Sequence, residues 1–197
     1  MPRKPRQLLD GGYYHVISRA NNRKYILSEQ ADFETFKDLL NKAKIRYSWK
    51  LYHYCVMSNH FHLLMKMEIG THLPKLMQYL LHEYSRYYRK KTGYIGCLWQ
   101  GRYKSSLIEK ESYMLQCGRY IERNPLRAGI VSTLEDYPWS SYRYYGFGQE
   151  DTLIDEDPYY QSFGATKEER KKFYQDVIMV DNPYDKLIDQ NLLESHF

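Results

Sequence analysis

Residues 49–67 read WKLYHYCVMSNHFHLLMKM, two apolar, β-rich runs (49–57 and 60–67) parted by Ser58-Asn59. A two-residue polar break between such runs predicts a β-hairpin. Successive side chains on a strand point to opposite faces, so His60 and His62 share one face. Phe61, Leu63, Met65 and Met67 share the other. The apolar set is built to meet helices, which leaves two imidazoles on the opposite side of the sheet.

Working outward, residues 13–19 (YYHVISR) alternate as a first strand, and Asn21-Asn22-Arg23 makes a polar turn. Phe33, Phe36, Leu39, Leu40 and Ala43 then recur at helical spacing behind Ser28, the expected N-cap. A second helical stripe runs through Leu73, Leu76, Met77, Leu80, Leu81, Tyr84, Tyr87 and Tyr88, with Thr71 near its start. Arg89-Lys90-Lys91 suit its negative end, and Gly93 stops it. Residues 98–108 are expected to be a fourth strand and 111–124 a short helix ended by Pro125. The order β-α-β-β-α-β predicts an α+β, ferredoxin-like antiparallel sheet with two helices on one face. The extra helix at 111–124 is expected to cover the histidine face.

The whole chain has 197 residues, 43% of them hydrophobic and 27% charged, enough for a core and too apolar for global disorder. No run approaches the length of a membrane span, and mean hydropathy is −0.74. The basic N-terminus lacks the apolar stretch of a secretory signal. Three cysteines without CxxC spacing argue against a disulfide framework or a zinc ribbon, so a soluble cytoplasmic protein is expected. Charge is unevenly divided. Residues 1–144 carry 24 Lys and Arg against 12 Asp and Glu, a net of +12, whereas residues 145–197 carry 5 against 12, a net of −7. Together with 22 tyrosines, the basic body suits a nucleic-acid strand, cations on phosphates and rings under bases. Residues 1–148 are expected to form the working domain. Residues 149–197 are expected to be an acidic extension, partly helical from near Thr166, that either packs on the body or competes with DNA for it.

Two imidazoles a strand-repeat apart can bind one divalent cation. A third ligand and a nucleophile should come from the helix over them, which ends Tyr120-Ile121-Glu122-Arg123-Asn124. Tyr120 and Asn124 lie one turn apart on one side of that helix. Asn124 offers a neutral carbonyl oxygen to complete a His60, His62, Asn124 set for Mg²⁺ or Mn²⁺, and Tyr120 offers an attacking oxygen. Tyr113, seven residues earlier, is a rival nucleophile; the spacing of Asn124 favours Tyr120.

At these residues the chain resembles a known family. Asn59-His60-Phe61-His62-Leu63-Leu64 is similar to the His-hydrophobe-His motif of single-tyrosine transposases. More narrowly, residues 13–23 (YYHVISRANNR), 99–105 (WQGRYKS), 120–131 (YIERNPLRAGIV) and 137–146 (YPWSSYRYYG) resemble, in order, segments of the REP-associated tyrosine transposases. The resemblance covers about residues 1–148. It implies that His60, His62 and Asn124 hold the metal and that Tyr120 attacks a phosphate of hairpin-forming single-stranded DNA, giving a 5′-phosphotyrosine link and a free 3′-hydroxyl. It also implies a monomer or homodimer acting at the nucleoid of a prokaryote. Arg3, Lys4, Arg6, Arg19, Arg23, Lys24, Arg102, Lys104 and Arg127 are the expected DNA contacts. Two other readings stand beside it. An RRM-like binding module would present aromatic rings on the open face, and another enzyme with the same histidine motif, a relaxase or replication initiator, would use a different histidine set or a second tyrosine.

Overall fold

A computed structural model of the chain describes residues 6–109, 112–180 and 185. Four strands form one antiparallel sheet: β1 (Gly12–Arg19), β2 (Trp49–Val56), β3 (His60–Met67) and β4 (Lys104–Leu107), in the order β2-β3-β1-β4. Helices α1 (Gln30–Arg46) and α2 (His72–Thr92) join β1 to β2 and β3 to β4. This is the split-βαβ arrangement that the element order predicts. The sequence past the sheet adds α3 (Ser112–Arg127), α4 (Tyr142–Phe147) and α5 (Lys167–Met179). Among the described residues no helix is long and apolar enough to cross a membrane.

Alternation on β3 sorts the two layers as expected. Phe61, Leu63, Met65 and Met67 are buried in one core with Phe36 and Leu40 of α1 and Leu76, Met77 and Leu80 of α2. On the other face, Leu64, Tyr52 and Cys55 meet Met114, Cys117, Tyr120 and Ile121 of α3 in a second core. Gly93 closes α2 at φ 69°, the left-handed position a C-terminal glycine relieves. Helix α1 begins one residue later than Ser28 predicts, with Glu29 as its N-cap, because buried Asp32 accepts from the backbone N–H of both Ser28 and Glu29.

Two boundaries depart from expectation. The fourth strand is only Lys104–Leu107, not 98–108. Gly96 and Gly101 take positive φ (121° and 85°), and the Trp99 indole turns onto α2, donating to the Leu81 carbonyl at 3.0 Å. Residues 98 and 99 therefore plug the helix-side core, and Trp99 keeps one isolated bridge to Ala20. Helix α3 runs through Pro125 to Arg127 rather than stopping at 124. Proline removes the N–H that would bond Ile121 O. The Asn124 amide supplies donors instead, to Ile121 O at 3.2 Å and Tyr120 O at 2.8 Å.

The acidic C-terminal stretch packs on the body along β2. Val56 N donates to Trp139 O and Ser141 N to Tyr54 O, so residues 139–141 cover the β2 edge. Asp151 pairs with Lys37 at 3.0 Å, Asp155 pairs with Lys44, and Asp155 also accepts from Leu51 N at 2.8 Å. Helix α5 begins after Thr166, near where it is expected, and the structure shows a capping box between Thr166 and Glu169.

Candidate active site

The β1–β3 register sets Arg19 opposite His60 and Ile17 opposite His62, and places His15 one strand-repeat further along the same face. The result is a cluster of three imidazoles under α3. His60 and His62 ring centroids are 5.2 Å apart at 80°, and His15 stacks on His62 at 5.2 Å and 21°. Both motif rings are held at the same atom. His60 Nδ1 donates to Asn59 Oδ1 at 2.6 Å, and His62 Nδ1 shares a 2.9 Å hydrogen bond with His15 Nε2.

Burial keeps all three rings neutral at pH 7. It lowers His15 and His60 to about 4, the facing Arg19 adding to the effect at His60. His62 is pushed well below its ordinary value by burial first, then by the neighbouring histidines and by Arg19 and Arg127. A neutral imidazole with Nδ1 in a hydrogen bond offers its Nε2 lone pair to a metal. Among the described residues no group of three or more His, Cys, Asp and Glu side chains is arranged to hold a metal ion. His60, His62 and Asn124, the ligand set expected from the sequence, offer imidazole and amide donors rather than carboxylates or thiolates.

Tyr120 lies edge-on to two of these rings, with centroids 5.7 Å from His62 and 5.9 Å from His15. It is 4% exposed, and the Arg127 guanidinium sits over its ring at 4.9 Å. Arg127 is itself exposed, so part of the cover over Tyr120 is one long side chain at the surface. Asn124 stands one turn beyond, half-buried, with its amide nitrogen spent on the helix carbonyls. The structure thus brings His60, His62 and Tyr120 together, and puts Asn124 on the same helix.

The seven predicted DNA contacts among the described residues do not form one cluster. Arg19 and Arg127 flank the histidines closely enough to depress His62. Lys104 pairs with Ile17 and so shares their face. Arg6 lies over the Tyr103 ring at 4.0 Å and donates to the Tyr103 carbonyl, which ties it down, while Arg102 is exposed nearby. Arg23 and Lys24 are exposed in the turn after β1, Lys24 reaching the Tyr94 ring at 4.3 Å beyond the end of α2. Arg3 and Lys4 lie outside the described residues.

Three side chains that matter here escaped the sequence reading. His15 is visible in YHVISR, but only the cross-strand register puts it against His62. Asn59 reads as a turn residue and serves as the His60 anchor. His53 is hidden by a β-bulge between Leu51 and His53, which breaks strict alternation and turns both Tyr52 and His53 toward α3.

Comparison with known proteins identifies the family. Residues 9–124, more than half of the chain, match the family model described as "Transposase IS200 like". A Haemophilus influenzae protein named among the REP-associated tyrosine transposases is 25% identical over 148 residues, covering 70% of this chain and 83% of its own. The solved structure of a REP-associated tyrosine transposase bound to a REP hairpin superposes with a TM-score of 0.63 at 18% identity, covering 80% of this chain and 93% of that one. A transposase-like structure from Deinococcus radiodurans is 22% identical over 62% of this chain and 97% of its own, at a TM-score of 0.43.

Proposed function

The chain belongs to the IS200-like transposase family, and from that premise we propose that it cleaves and transfers one strand of hairpin-forming DNA with Tyr120 as the nucleophile. The observation that carries this reading is the edge-on approach of Tyr120 to His62 and His15, the rings of the His-x-His face. The similar structure whose title names a REP hairpin supports the hairpin as substrate.

In this reading the phenol oxygen of Tyr120 attacks phosphorus in line. A Tyr120–phosphorus bond forms and the bond to the 3′ oxygen breaks. The phenol loses its proton and the departing 3′ oxygen gains one, so the products are a 5′-phosphotyrosine and a free 3′-hydroxyl. The link conserves the phosphodiester, and the same step run backward on another 3′ end joins strands without a nucleotide cofactor.

His60, His62 and Asn124 would hold a divalent ion, Mg²⁺ or Mn²⁺; when bound, it supplies Lewis-acid polarisation of the phosphate. The fit rests on two neutral imidazoles whose Nδ1 atoms are engaged by Asn59 and His15. Arg19 and Arg127, flanking that site, are suited to phosphate oxygens, and displacing the exposed Arg127 side chain onto a phosphate would uncover the Tyr120 ring.

Labelled REP-type hairpin DNA incubated with the protein and Mn²⁺ is expected to give an adduct that survives denaturant. Tyr120→Phe should remove the adduct and leave hairpin binding within about twofold. An adduct of normal yield in that variant would move the nucleophile elsewhere.

A further inference from the structure

On the opposite flank of α3 from Tyr120, a second buried polar cluster joins the helix to β2 and to the C-terminal segment. Glu122 is fully buried. One of its oxygens meets His53 Nδ1 at 2.9 Å and accepts from the Ser141 hydroxyl; the other accepts from the Tyr174 hydroxyl at 2.7 Å. His53 Nε2 in turn meets Asp157 at 3.0 Å, and Tyr145 stacks on the His53 ring at 4.5 Å. Gly118, one turn before Glu122, permits this approach, since a Cβ there would lie 2.9 Å from three His53 ring atoms. The end of α5 holds the same helix from its outer side, where the Val180 carbonyl accepts from Arg119 and from Arg123 at 3.0 Å.

We propose that Glu122 is the positioning residue for Tyr120, and that the C-terminal segment carrying Asp157 and Tyr174 is part of the device that sets it. Residues two apart on a helix differ by about 200° around its axis. With Cys117 and Ile121 facing the sheet between them, Tyr120 hangs toward β3 and β1 and Glu122 toward β2. Fixing Glu122 therefore fixes the roll of α3, and the roll decides how far Tyr120 stands from the histidines. A buried carboxylate with three donors from three different segments is suited to that task, because each lost donor leaves charge unsatisfied and favours a new roll. The apolar contacts of α3 alone define its position less sharply, since they tolerate rotation that hydrogen bonds do not.

This rests on Tyr120 as the attacking residue, and the test separates the two claims. Glu122→Gln and the milder Tyr174→Phe are compared with wild type for hairpin affinity, cleavage rate, Tm, and the ring-current shifts of the His15 and His62 imidazole protons. The expected result for both, measured well below their Tm, is kcat down at least tenfold with hairpin affinity within about twofold. The His15 and His62 shifts should move away from wild-type values. Should Glu122→Gln fail to fold, Tyr174→Phe carries the test, because it removes one hydroxyl of α5 from Glu122 and leaves every side chain of β2 and α3 in place. Unchanged shifts and unchanged kcat with only a lower Tm would overturn positioning and leave a structural clamp. Absence of any Tyr120 adduct in the wild type would instead sink the nucleophile, while moved shifts would still support the roll of α3.

Discussion

His15 Nε2 lies 2.9 Å from His62 Nδ1, on a neighbouring strand and 47 residues away in sequence. For His62 to offer Nε2 to a metal, its Nδ1 must carry the proton and His15 must accept it. In the proposed site, His15 would hold that tautomer of His62 without belonging to the motif. Asn59 does the same for His60 through its side-chain oxygen.

Removing these anchors should weaken metal binding before it touches the fold. His15→Ala and Asn59→Ala are expected to lower Mn²⁺ affinity roughly 10- to 100-fold, measured by titration of the ion's paramagnetic resonance signal without DNA. His15→Gln, which keeps an acceptor, should recover part of the loss. Wild-type affinity in His15→Ala would remove it from the site.

Alanine for glycine inside a helix ordinarily stabilises by about 1 kcal/mol. Gly118→Ala is expected to do the reverse, because the new methyl meets the His53 ring at 2.9 Å and that ring is pinned between Glu122 and Asp157. Thermal unfolding should show a lower Tm. A rise would mean that α3 lifts from β2 at no cost.

The protonation of His53 should be visible as pH-dependent stability. Burial works against its charge, but the hydrogen bonds to Asp157 and Glu122 outweigh that and raise it from 6.5 to about 9. A raised histidine stabilises fully below 6.5, and that contribution drains away as pH climbs to about 9. The other titratable groups facing the ring are Glu122 of α3, Asp157, Tyr145 of α4 and Tyr174 of α5. Burial holds both phenols well above their ordinary value, so they stay protonated in this window. Denaturant unfolding between pH 6 and 9.5 should show wild type losing stability relative to His53→Gln. Parallel curves would contradict the paired imidazolium.

The proposed site gives Asn124 a second duty, separable from the one its amide performs in the helix. Its amide repairs the helix where Pro125 lacks an N–H, so Asn124→Ala should cost about 1–2 kcal/mol. Adding Pro125→Ala restores a backbone donor and should recover that stability. Cleavage should not recover in the double variant if the Asn124 oxygen serves the metal. Recovery of both would reduce Asn124 to a helix repair.

Much of this arrangement was legible in the amino-acid order. The period-two pattern of 60–67 separated core from histidine face correctly, and the stripe from Leu73 to Tyr88 located α2 with its glycine stop. Local pattern failed where a distant partner decides. Trp99 reads as strand, yet its indole finds a carbonyl on α2. Pro125 reads as a helix end, yet the preceding side chain replaces its missing donor. His15 and His53 owe their roles to a cross-strand register and a bulge, neither of which leaves a local signal. The acidic residues after Gln149 are unpaired in sequence and meet Lys37, Lys44 and His53 only through long-range packing.

The central claim is that one phenol, at position 120, ends up bonded to DNA. Protein reacted with Mn²⁺ and a cleavable REP-type hairpin, digested with nuclease and protease, should yield a peptide whose nucleotide mass maps by fragmentation to Tyr120. The same mass on Tyr113 or any other residue, in wild-type protein, would contradict the account.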